Sequence, residues 1–191
     1  METEEDLFRV EDSPIEGKGG FALRDIEKGE TICVMKGESR TFAYFEEIHR
    51  AGNSRISCDQ LQIGVRTYIA TERPYVYLNH SCDPNAGIRG ERAMTALRNI
   101  SRGEEITYDY SATEWTVQDY PPYYTDGWPM DCNCRSSVCR KRVGCFPYLP
   151  KSLQEKYVHS GVIQDHILER LKEPEESQRC YVCEKELLSG V

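Results

Sequence analysis

Three closely spaced cysteines form the densest cluster of metal-ligating side chains in the sequence. Cys132, Cys134 and Cys139 follow a C-x-C-x4-C pattern. Three thiolates this close together can surround one ion, but a structural zinc site is tetrahedral and needs a fourth ligand. Cys145 is the candidate nearby and Cys82 the candidate farther along the chain. The pattern predicts one structural zinc ion rather than a disulfide.

A second polar cluster follows an apolar and aromatic run that ends at Leu78. Residues 79–86 read Asn-His-Ser-Cys-Asp-Pro-Asn-Ala. So many polar side chains directly after an apolar run favour a functional segment over a plain surface turn. For His80 taken alone, a core histidine with satisfied hydrogen bonds is the commoner case.

The glycine-rich segment 16–22 allows close approach of backbone to a ligand. It contains Gly17, Gly19 and Gly20 directly before a predicted strand. Glycine also permits positive φ, so a tight turn is an equally good interpretation. The segment is neither a Walker loop nor a dinucleotide fingerprint, because it lacks both a GK[ST] sequence and a following helix.

The segment Gly103–Tyr110 is a predicted strand that carries two tyrosines near its end. Tyr108 and Tyr110 are two residues apart, and side chains at that spacing on a strand point to the same face. Two phenols on one face could line a channel. A half-buried aromatic strand is the commoner alternative.

Together these segments resemble a SET-domain protein-lysine N-methyltransferase of the compact type, with a post-SET zinc motif and no pre-SET region. A glycine-rich stretch, NHSCxPN, GEExxxDY and C-x-C-x4-C occur in family order over residues 7–140. The resemblance implies a mainly β SET fold of short curved sheets with a pseudoknot, one inserted helix, a C-terminal zinc-bound post-SET loop and short helices. The implied divisions are a SET domain (7–111), a connecting loop (112–131), a post-SET zinc-binding segment (132–148) and a C-terminal helical tail (149–191).

The resemblance also implies roles for single residues. The cofactor S-adenosylmethionine would be bound by Lys18, Gly19, Gly20, Asn79, His80 and Tyr110. The catalytic residues would be Tyr110, which orients the methyl group and the amine, and Tyr108, at the position that tunes the number of methyl groups added. The structural Zn²⁺ would be held by Cys82, Cys132, Cys134 and Cys139.

Two positions depart from the pattern of many relatives. Val76-Tyr77-Leu78 stands where many have Arg-Phe-Ile before the Asn-His pair, which bears on the cofactor pocket. Lys141 stands where many have glycine, which bears on packing of the post-SET segment and not on the metal.

By this resemblance the chain would methylate the ε-amine of a lysine in a protein substrate. The net charge of −8 suits a target in a basic segment, such as a histone or another chromatin or ribosomal protein. The same charge disfavours direct binding to nucleic acid or to an anionic membrane. A catalytically weak SET-type module that binds a basic peptide is the alternative, and a redox or metal-storage protein is a third reading. The oligomeric state is not determined.

The composition and the N-terminal residues indicate the cellular compartment of the protein. Nine cysteines are an odd number, and the N-terminus is acidic where a secretory signal would be basic and then apolar. No apolar run approaches the 18 or so residues of a membrane-spanning helix. We therefore expect an intracellular protein, in the nucleus or on chromatin in a eukaryote and in the cytoplasm of a prokaryote.

The elements that must position these residues are mostly short strands in the first 110 residues, because glycine and proline recur too often for long helices. Residues 22–32 and 96–106 echo each other, which predicts one β-hairpin used twice. A helix is predicted over residues 41–52, where Phe42, Phe45, Ile48 and His49 fall at helical spacing. Residues 111–130 are predicted to be a long loop.

The C-terminal region has a helical pattern. Ser152 and Glu155 have the spacing of a capping box, and apolar residues recur to residue 172 with a break expected at Gly161. The tail from residue 173 is charged and expected to be loose. Its Cys180 and Cys183 are more readily two free thiols than half a metal site.

Overall fold

The structure is a computed structural model that describes residues 6–41, 43, 44, 47, 50–52, 59–115 and 130–174. Short strands dominate it, as predicted, and helices appear mainly near the C-terminal end of the described residues. The strands are β1 (Phe8–Asp12), β2 (Lys18–Ala22), β3 (Thr31–Val34), β4 (Gly37–Thr41), β5 (Gln60–Gln62), β6 (Thr67–Thr71), β7 (Asn79–His80), β8 (Ala86–Arg89), β9 (Ala93–Ala96), β10 (Glu105–Tyr108), β11 (Met130–Asp131) and β12 (Arg142–Val143). The helices α1 (Lys151–Ser160) and α2 (Asp165–Arg170) follow, and 3-10 turns cover Tyr75–Tyr77, Tyr110–Ala112 and Phe146–Tyr148.

The strands form small sheets around one apolar core. Their orders are β1-β2-β10-β7, β3-β9-β8, β4-β6-β5 and β11-β12. Fully buried side chains from the first three sheets, and from the isolated bridge of Ile26 with Ile100, pack together in this core, among them Ile69, Met94 and Ile106. No strand in the described residues exceeds five residues, so each sheet is too small to be stable alone and the core depends on all three.

The inserted helix and the long loop fall largely outside the described residues. Ala43, Tyr44, Glu47 and Arg50 are helical, and Gly52 follows with φ of 79°. The apolar positions on which the helix prediction rests are not described, and neither are residues 116–129 of the predicted loop. Cys180 and Cys183 also lie outside the described residues.

The internal echo is real, but the prediction of one hairpin used twice is wrong. The strands that flank each glycine turn belong to different sheets, because β2 and β10 share one sheet whereas β3 and β9 share another. The two turns pair with each other instead. Ile26 and Ile100 exchange backbone hydrogen bonds of 2.8 and 2.9 Å, and Gly29 and Gly103, with φ of 87° and 81°, turn the chain. The two similar segments therefore form turns of the same geometry, and the hydrogen bonds between these turns link two sheets to each other.

Segment 79–85, here called the pseudoknot after the feature that the resemblance implies, lies against β10. β10 pairs antiparallel with β2 and parallel with β7, where Thr107 lies opposite Asn79 and Tyr108 opposite His80. Beyond β7, the buried Asn85 side chain donates to the Glu105 carbonyl at 2.8 Å and accepts from the Thr107 N–H at 2.9 Å. The segment after Leu78 is therefore tied to β10 at two points.

The C-terminal helices build a second apolar cluster against the strands. Its buried members are Ala112, Trp115, Phe146, Leu149, Tyr157, Ile163 and Ile167. The Gln164 amide donates to the carbonyls of Gln62 and Glu91 at 2.7 and 2.9 Å, which fastens this cluster to β5 and to the turn between β8 and β9. None of the helices in the described part of the chain is long and apolar enough to cross a membrane.

The predicted capping box is wrong, whereas the predicted break is confirmed. α1 begins at Lys151 after Pro150, with no side-chain cap, so Ser152 is already inside the helix. The side-chain hydrogen bond at this end comes from Gln154 instead, whose buried amide donates to the Leu149 carbonyl just before the helix at 2.8 Å. Gly161 ends the helix in the left-handed conformation with φ of 66°, where glycine carries no Cβ penalty.

Candidate functional site

The glycine-rich segment is itself a strand rather than the turn before one. Lys18–Ala22 form β2, in the middle of the first sheet, and only Gly17 has positive φ, at 50°. A Cβ on Gly19 would lie 2.3 Å from Glu105 Oε1, and one on Gly20 would lie 2.6 Å from Leu78 Cδ2. A side chain at either position would therefore have to displace the Glu105 or the Leu78 side chain, which lie close against β2. The Lys18 carbonyl, at the start of β2, is within hydrogen-bond distance of Asn79.

The Asn79 side chain links the start of β2 to β10. Its amide nitrogen lies 2.9 Å from the Lys18 carbonyl and 2.8 Å from Glu105 Oε1, and Ser13 Oγ donates to the same carboxylate oxygen at 2.7 Å. Of the residues predicted to bind the cofactor, Lys18 and Asn79 are therefore in direct contact, and Gly19 and Gly20 follow Lys18 in β2. Ser13 and Glu105 carry no motif signal of their own, although Glu105 lies within the GEExxxDY segment.

The two tyrosines meet, but not as alternate residues of one strand. Tyr108 ends β10, whereas Tyr110 begins a 3-10 turn, and their ring centroids are 4.7 Å apart. The Tyr110 hydroxyl donates to the Leu78 carbonyl at 2.9 Å, directly before Asn79. Burial raises the pKa of both phenols above the ordinary value, and the carboxylates of Glu16, Asp59 and Glu105 raise that of Tyr110 further. Both phenols are therefore neutral near pH 7.

His80 joins the tyrosine to the cysteine cluster. Its buried ring lies between Tyr110, whose N–H donates to Nδ1 at 3.2 Å, and Cys82, whose Sγ lies 3.3 Å from Nε2. Burial lowers the pKa of His80 to about 4, with the Asp109 carboxylate acting in the opposite direction. The ring is therefore neutral near pH 7. Because Nδ1 accepts a hydrogen bond, the proton of the neutral ring is on Nε2 and faces the sulfur.

The cysteine cluster forms where the pseudoknot meets the strand pair β11-β12. His80, Cys82, Cys132 and Cys134 offer ligand atoms that lie within 4.8 Å of one another, all buried. Backbone N–H groups point at the sulfurs: Cys82 N–H lies 3.5 Å from Cys134 Sγ, and Arg140 N–H lies 3.3 Å from Cys82 Sγ. Such N–H···S bonds stabilise thiolates, as metal ligation requires. The donor set therefore fits zinc, which favours sulfur ligands in structural sites.

This group contains His80 where the sequence analysis expected Cys139, so both residues are candidates for the fourth ligand. A histidine that ligates through Nε2 carries its proton on Nδ1, but Nδ1 of His80 accepts from Tyr110. In this arrangement His80 is a hydrogen-bond donor to the Cys82 sulfur rather than a ligand. Cys139 packs against the same cluster, and its sulfur accepts from the Lys141 N–H at 3.3 Å. Cys145 is fully buried and, like Cys139, lies outside the group of four ligand atoms, whereas Cys82 belongs to that group.

Hydrogen bonds lower the pKa of one thiol in the cluster. Burial is the largest influence on Cys134 and acts to raise its pKa, but hydrogen bonds from Cys82, Ser136 and neighbouring thiols together lower it to about 7. Burial raises the pKa of Cys82 to about 11. One thiolate therefore forms readily near neutral pH, and a bound cation would favour ionisation of the rest.

Lys141, the departure noted in the sequence, sits in a backbone conformation that favours glycine. Its φ is 66°, and the preceding left-handed residue, Arg135, has φ of 59°. Only glycine adopts this region without a Cβ penalty. The glycine of many relatives is therefore explained by the turn between Cys139 and β12, and this chain adopts the same turn with a lysine.

Sequence reasoning missed a buried carboxylate between the two tyrosines. Asp109 accepts hydrogen bonds from Arg140 and Tyr157 at 2.7 and 2.8 Å. Asp109 stands inside the GEExxxDY segment, so its position was a signal that could have been used. Arg140 follows the last cysteine of the C-x-C-x4-C pattern, and Tyr157 lies in a helix with no motif.

Known proteins resemble this chain over the domain and beyond it. Residues 17–111 match the family model described as "SET domain". "Histone-lysine N-methyltransferase trithorax" of Drosophila virilis is 34% identical over 151 residues, which cover 73% of this chain and 4% of that protein. "Histone-lysine N-methyltransferase ASHH3" of Arabidopsis thaliana is 30% identical over 147 residues, 71% of this chain and 38% of that protein. The chain thus spans well under half of the length of these relatives.

Proposed function

Since residues 17–111 form a SET domain, we propose that the chain transfers a methyl group from S-adenosylmethionine to the ε-amine of a lysine in a protein. The observation that carries this proposal is the hydrogen bond of 2.9 Å from the Tyr110 hydroxyl to the Leu78 carbonyl. It brings the tyrosine of the GEExxxDY segment next to Asn79, which in turn contacts Lys18. Three separate motifs therefore converge on one site.

The charge of the site suits cationic ligands. The carboxylates of Glu16, Asp59 and Glu105 are near enough to Tyr110 to raise its pKa. S-adenosylmethionine carries a sulfonium and an ammonium group, and a target lysine approaches as an ammonium. We assign the backbone of Lys18–Gly20, with Asn79, His80 and Tyr110, to the binding of this methyl donor.

The chain has no need of a strong general base in this proposal. A free lysine has a pKa of about 10.4, so its neutral form at pH 7 costs roughly 4.6 kcal/mol. Burial of the amine among Tyr108, Tyr110 and neighbouring apolar groups would reduce that cost, because desolvation disfavours the charged form. Tyr110 stays a neutral phenol and holds the reacting groups in line, which supplies rate through orientation. His80 is not available as a base, since both ring nitrogens have contacts of 3.2 and 3.3 Å.

The zinc in this proposal is structural and is held by Cys82, Cys132, Cys134 and Cys139. Four thiolates leave no open coordination position, so the ion would serve to fasten two segments. One of them carries Cys82 and the other begins at Cys132, and their sulfurs lie 3.7 Å apart. Zinc would thereby hold the post-SET segment (132–148) against the SET domain (7–111), beside Tyr110.

We propose Tyr108 as the residue that limits the number of methyl groups. It is mostly buried, and its ring contacts that of Tyr110. A phenol at this place can hold a water molecule beside the amine and so occupy the space that a methylated amine needs. Monomethylation, or dimethylation at most, is the expected outcome.

The substrate class follows from charge and from the relatives. A net charge of −8 favours a lysine in a basic segment, and the relatives are named as histone-lysine methyltransferases. We propose a histone tail or a similarly basic chromatin protein, and hence a nuclear location in a eukaryote. The competing proposal is a module that binds a basic peptide without turnover.

The test is transfer of a labelled methyl group from S-adenosylmethionine to core histones and to total cell extract, with mass spectrometry of the labelled protein. Tyr110→Phe is the matched control, because it removes one hydroxyl and keeps the ring. Label on lysine that depends on the Tyr110 hydroxyl supports the proposal. Binding of the methyl donor by calorimetry without any transfer supports the non-catalytic module instead.

A further inference from the structure

The carboxylate of Asp109 is a buried charge between the two active-site tyrosines. Its side chain is fully buried, with an exposed fraction of 0%. Oδ1 accepts from Arg140 Nη2 at 2.7 Å and from the Ser111 N–H at 3.0 Å, and Oδ2 accepts from the Tyr157 hydroxyl at 2.8 Å. A buried charge is stable only when it is paired and hydrogen-bonded, so each of these donors matters.

The donors come from different parts of the chain. Arg140 follows the last cysteine of the zinc cluster, and its N–H also points at Cys82 Sγ from 3.3 Å. Tyr157 lies on α1, and its ring is buried in the second apolar cluster with Trp115 and Phe146. Asp109 is therefore the point where the SET domain, the cysteine segment and the C-terminal helix are joined.

Asp109 is also tied directly to the position of Tyr110. Its side chain caps the 3-10 turn Tyr110–Ala112 through the bond to the Ser111 N–H. Tyr110 is the first residue of that turn, and its own N–H and hydroxyl are held by His80 and Leu78. A shift of the Asp109 carboxylate would therefore move the backbone that carries the Tyr110 ring.

We propose that Tyr157 is a positioning residue for the reaction, acting through Asp109 on Tyr110. Its hydroxyl holds Oδ2 of Asp109 while Arg140 holds Oδ1, so the carboxylate plane has one orientation. Through this hydrogen bond, α1 contributes to the geometry of the active site in addition to covering the apolar core. This inference rests on the proposed function in that Tyr110 is taken as the catalytic phenol.

The decisive variant is Tyr157→Phe, which keeps the buried ring and removes only the donor to Asp109. Displacement of catalytic groups by an ångström can cost about 100-fold in rate. Here the Arg140 and Ser111 bonds remain, so a smaller loss, of about three- to tenfold in kcat, is expected. KM for S-adenosylmethionine and for a histone peptide should change less than twofold, because Tyr157 touches neither.

Ser160→Ala is the matched control in the same helix. Its hydroxyl donates to the Tyr157 carbonyl at 2.7 Å and has no bond to Asp109. It removes one hydroxyl from α1, so kcat should be unchanged even if the melting temperature falls. A comparable fall in kcat for Ser160→Ala and Tyr157→Phe would mean that helix stability, not the Asp109 contact, is responsible, and would overturn the inference.

A double variant shows whether the effect passes through Tyr110. In a Tyr110→Phe background the loss caused by Tyr157→Phe should shrink to less than twofold, because the positioned hydroxyl is already gone. An undiminished loss in that background would also overturn the inference. So would an unchanged kcat in Tyr157→Phe alone.

Hydrogen exchange keeps this inference separate from the proposed function. Amide protection of residues 110–112 in the full chain should fall at least threefold in Tyr157→Phe and stay unchanged in Ser160→Ala. Absence of turnover in the unaltered protein would refute the proposed function and leave this measurement valid. Unchanged protection in Tyr157→Phe would refute the positioning role whatever the activity.

Discussion

Replacing Cys82 with alanine should destabilise the folded protein chiefly when zinc is bound. Cys82 and Cys132 are 50 residues apart in sequence, and their sulfurs are 3.7 Å apart in the fold. A shared zinc ion would therefore close a long loop, as a disulfide would. The change removes the ligand that joins the pseudoknot to the post-SET segment and leaves the three ligands of the C-x-C-x4-C pattern in place.

The size of the effect follows from the loop that the ion closes. For a cross-link over 50 residues, the chain-entropy model gives about 4 kcal/mol of stabilisation at 25 °C. Cys82→Ala should therefore lower the free energy of unfolding by about 5–6 kcal/mol with zinc present, of which about 4 kcal/mol is the lost cross-link and the rest is the deleted side chain. With a chelator present the difference should fall to about 1–2 kcal/mol, the cost of deleting a small buried side chain.

The assay is a thermodynamic cycle of denaturant unfolding, with zinc and with chelator, together with measured zinc content. Cys145→Ala is the matched control, since that thiol is fully buried outside the described cluster. It should keep one zinc per chain and show the same destabilisation in both conditions. The reasoning is refuted if Cys145→Ala loses zinc while Cys82→Ala keeps it, or if the Cys82 effect is unchanged by the chelator.

The remaining predictions concern rate, product and pH. Tyr110→Phe should keep the fold and lower kcat by about tenfold or more, because the positioned hydroxyl is lost; steady-state kinetics measures this. Tyr108→Phe should shift products from mono- towards di- and trimethyl-lysine. Removal of the hydroxyl breaks its hydrogen bond to the water beside the amine, a bond that contributes about 0.5–1.5 kcal/mol net. Mass spectrometry at long incubation measures the product distribution. Burial lowers the pKa of His166 to about 4, so the neutral ring stabilises the fold above its unfolded pKa of about 6.5. That stabilisation falls by about 2 kcal/mol from pH 7 to pH 5, and His166→Gln should remove this part of the pH dependence in denaturant unfolding.

Each of these predictions has an outcome that contradicts it. Unaltered turnover in Tyr110→Phe would remove that residue from the mechanism. For Tyr108, a wild type that already makes mainly trimethyl-lysine, or an unchanged product distribution in the Phe variant, would leave it as a packed aromatic residue only. An identical loss of stability at pH 5 in His166→Gln and in the wild type would assign the acid sensitivity to other groups.

The sequence alone predicted those features that depend on residues close together in the chain. The spacing of Cys132, Cys134 and Cys139 indicated a metal cluster; the first two lie in the group that could hold an ion, and Cys139 packs beside it. Gly161 indicated the end of a helix, since left-handed backbone is a local property. The motif residues from Asn79 to Cys82 indicated a functional segment, and the structure places them at the crossing with β10.

Contacts between residues that are far apart in sequence were visible only in the folded chain. The partners of Asp109 lie 31 and 48 residues away, at Arg140 and Tyr157, and nothing in the spacing of those residues reveals the contact. The expected cap at Ser152 does not form, because the helix already begins at Lys151 after Pro150 and has no side-chain cap. Residue types and their spacing indicated which groups are reactive or could ligate a metal. Long-range packing determined which of them meet, because burial in a shared core brings together side chains that no local periodicity relates.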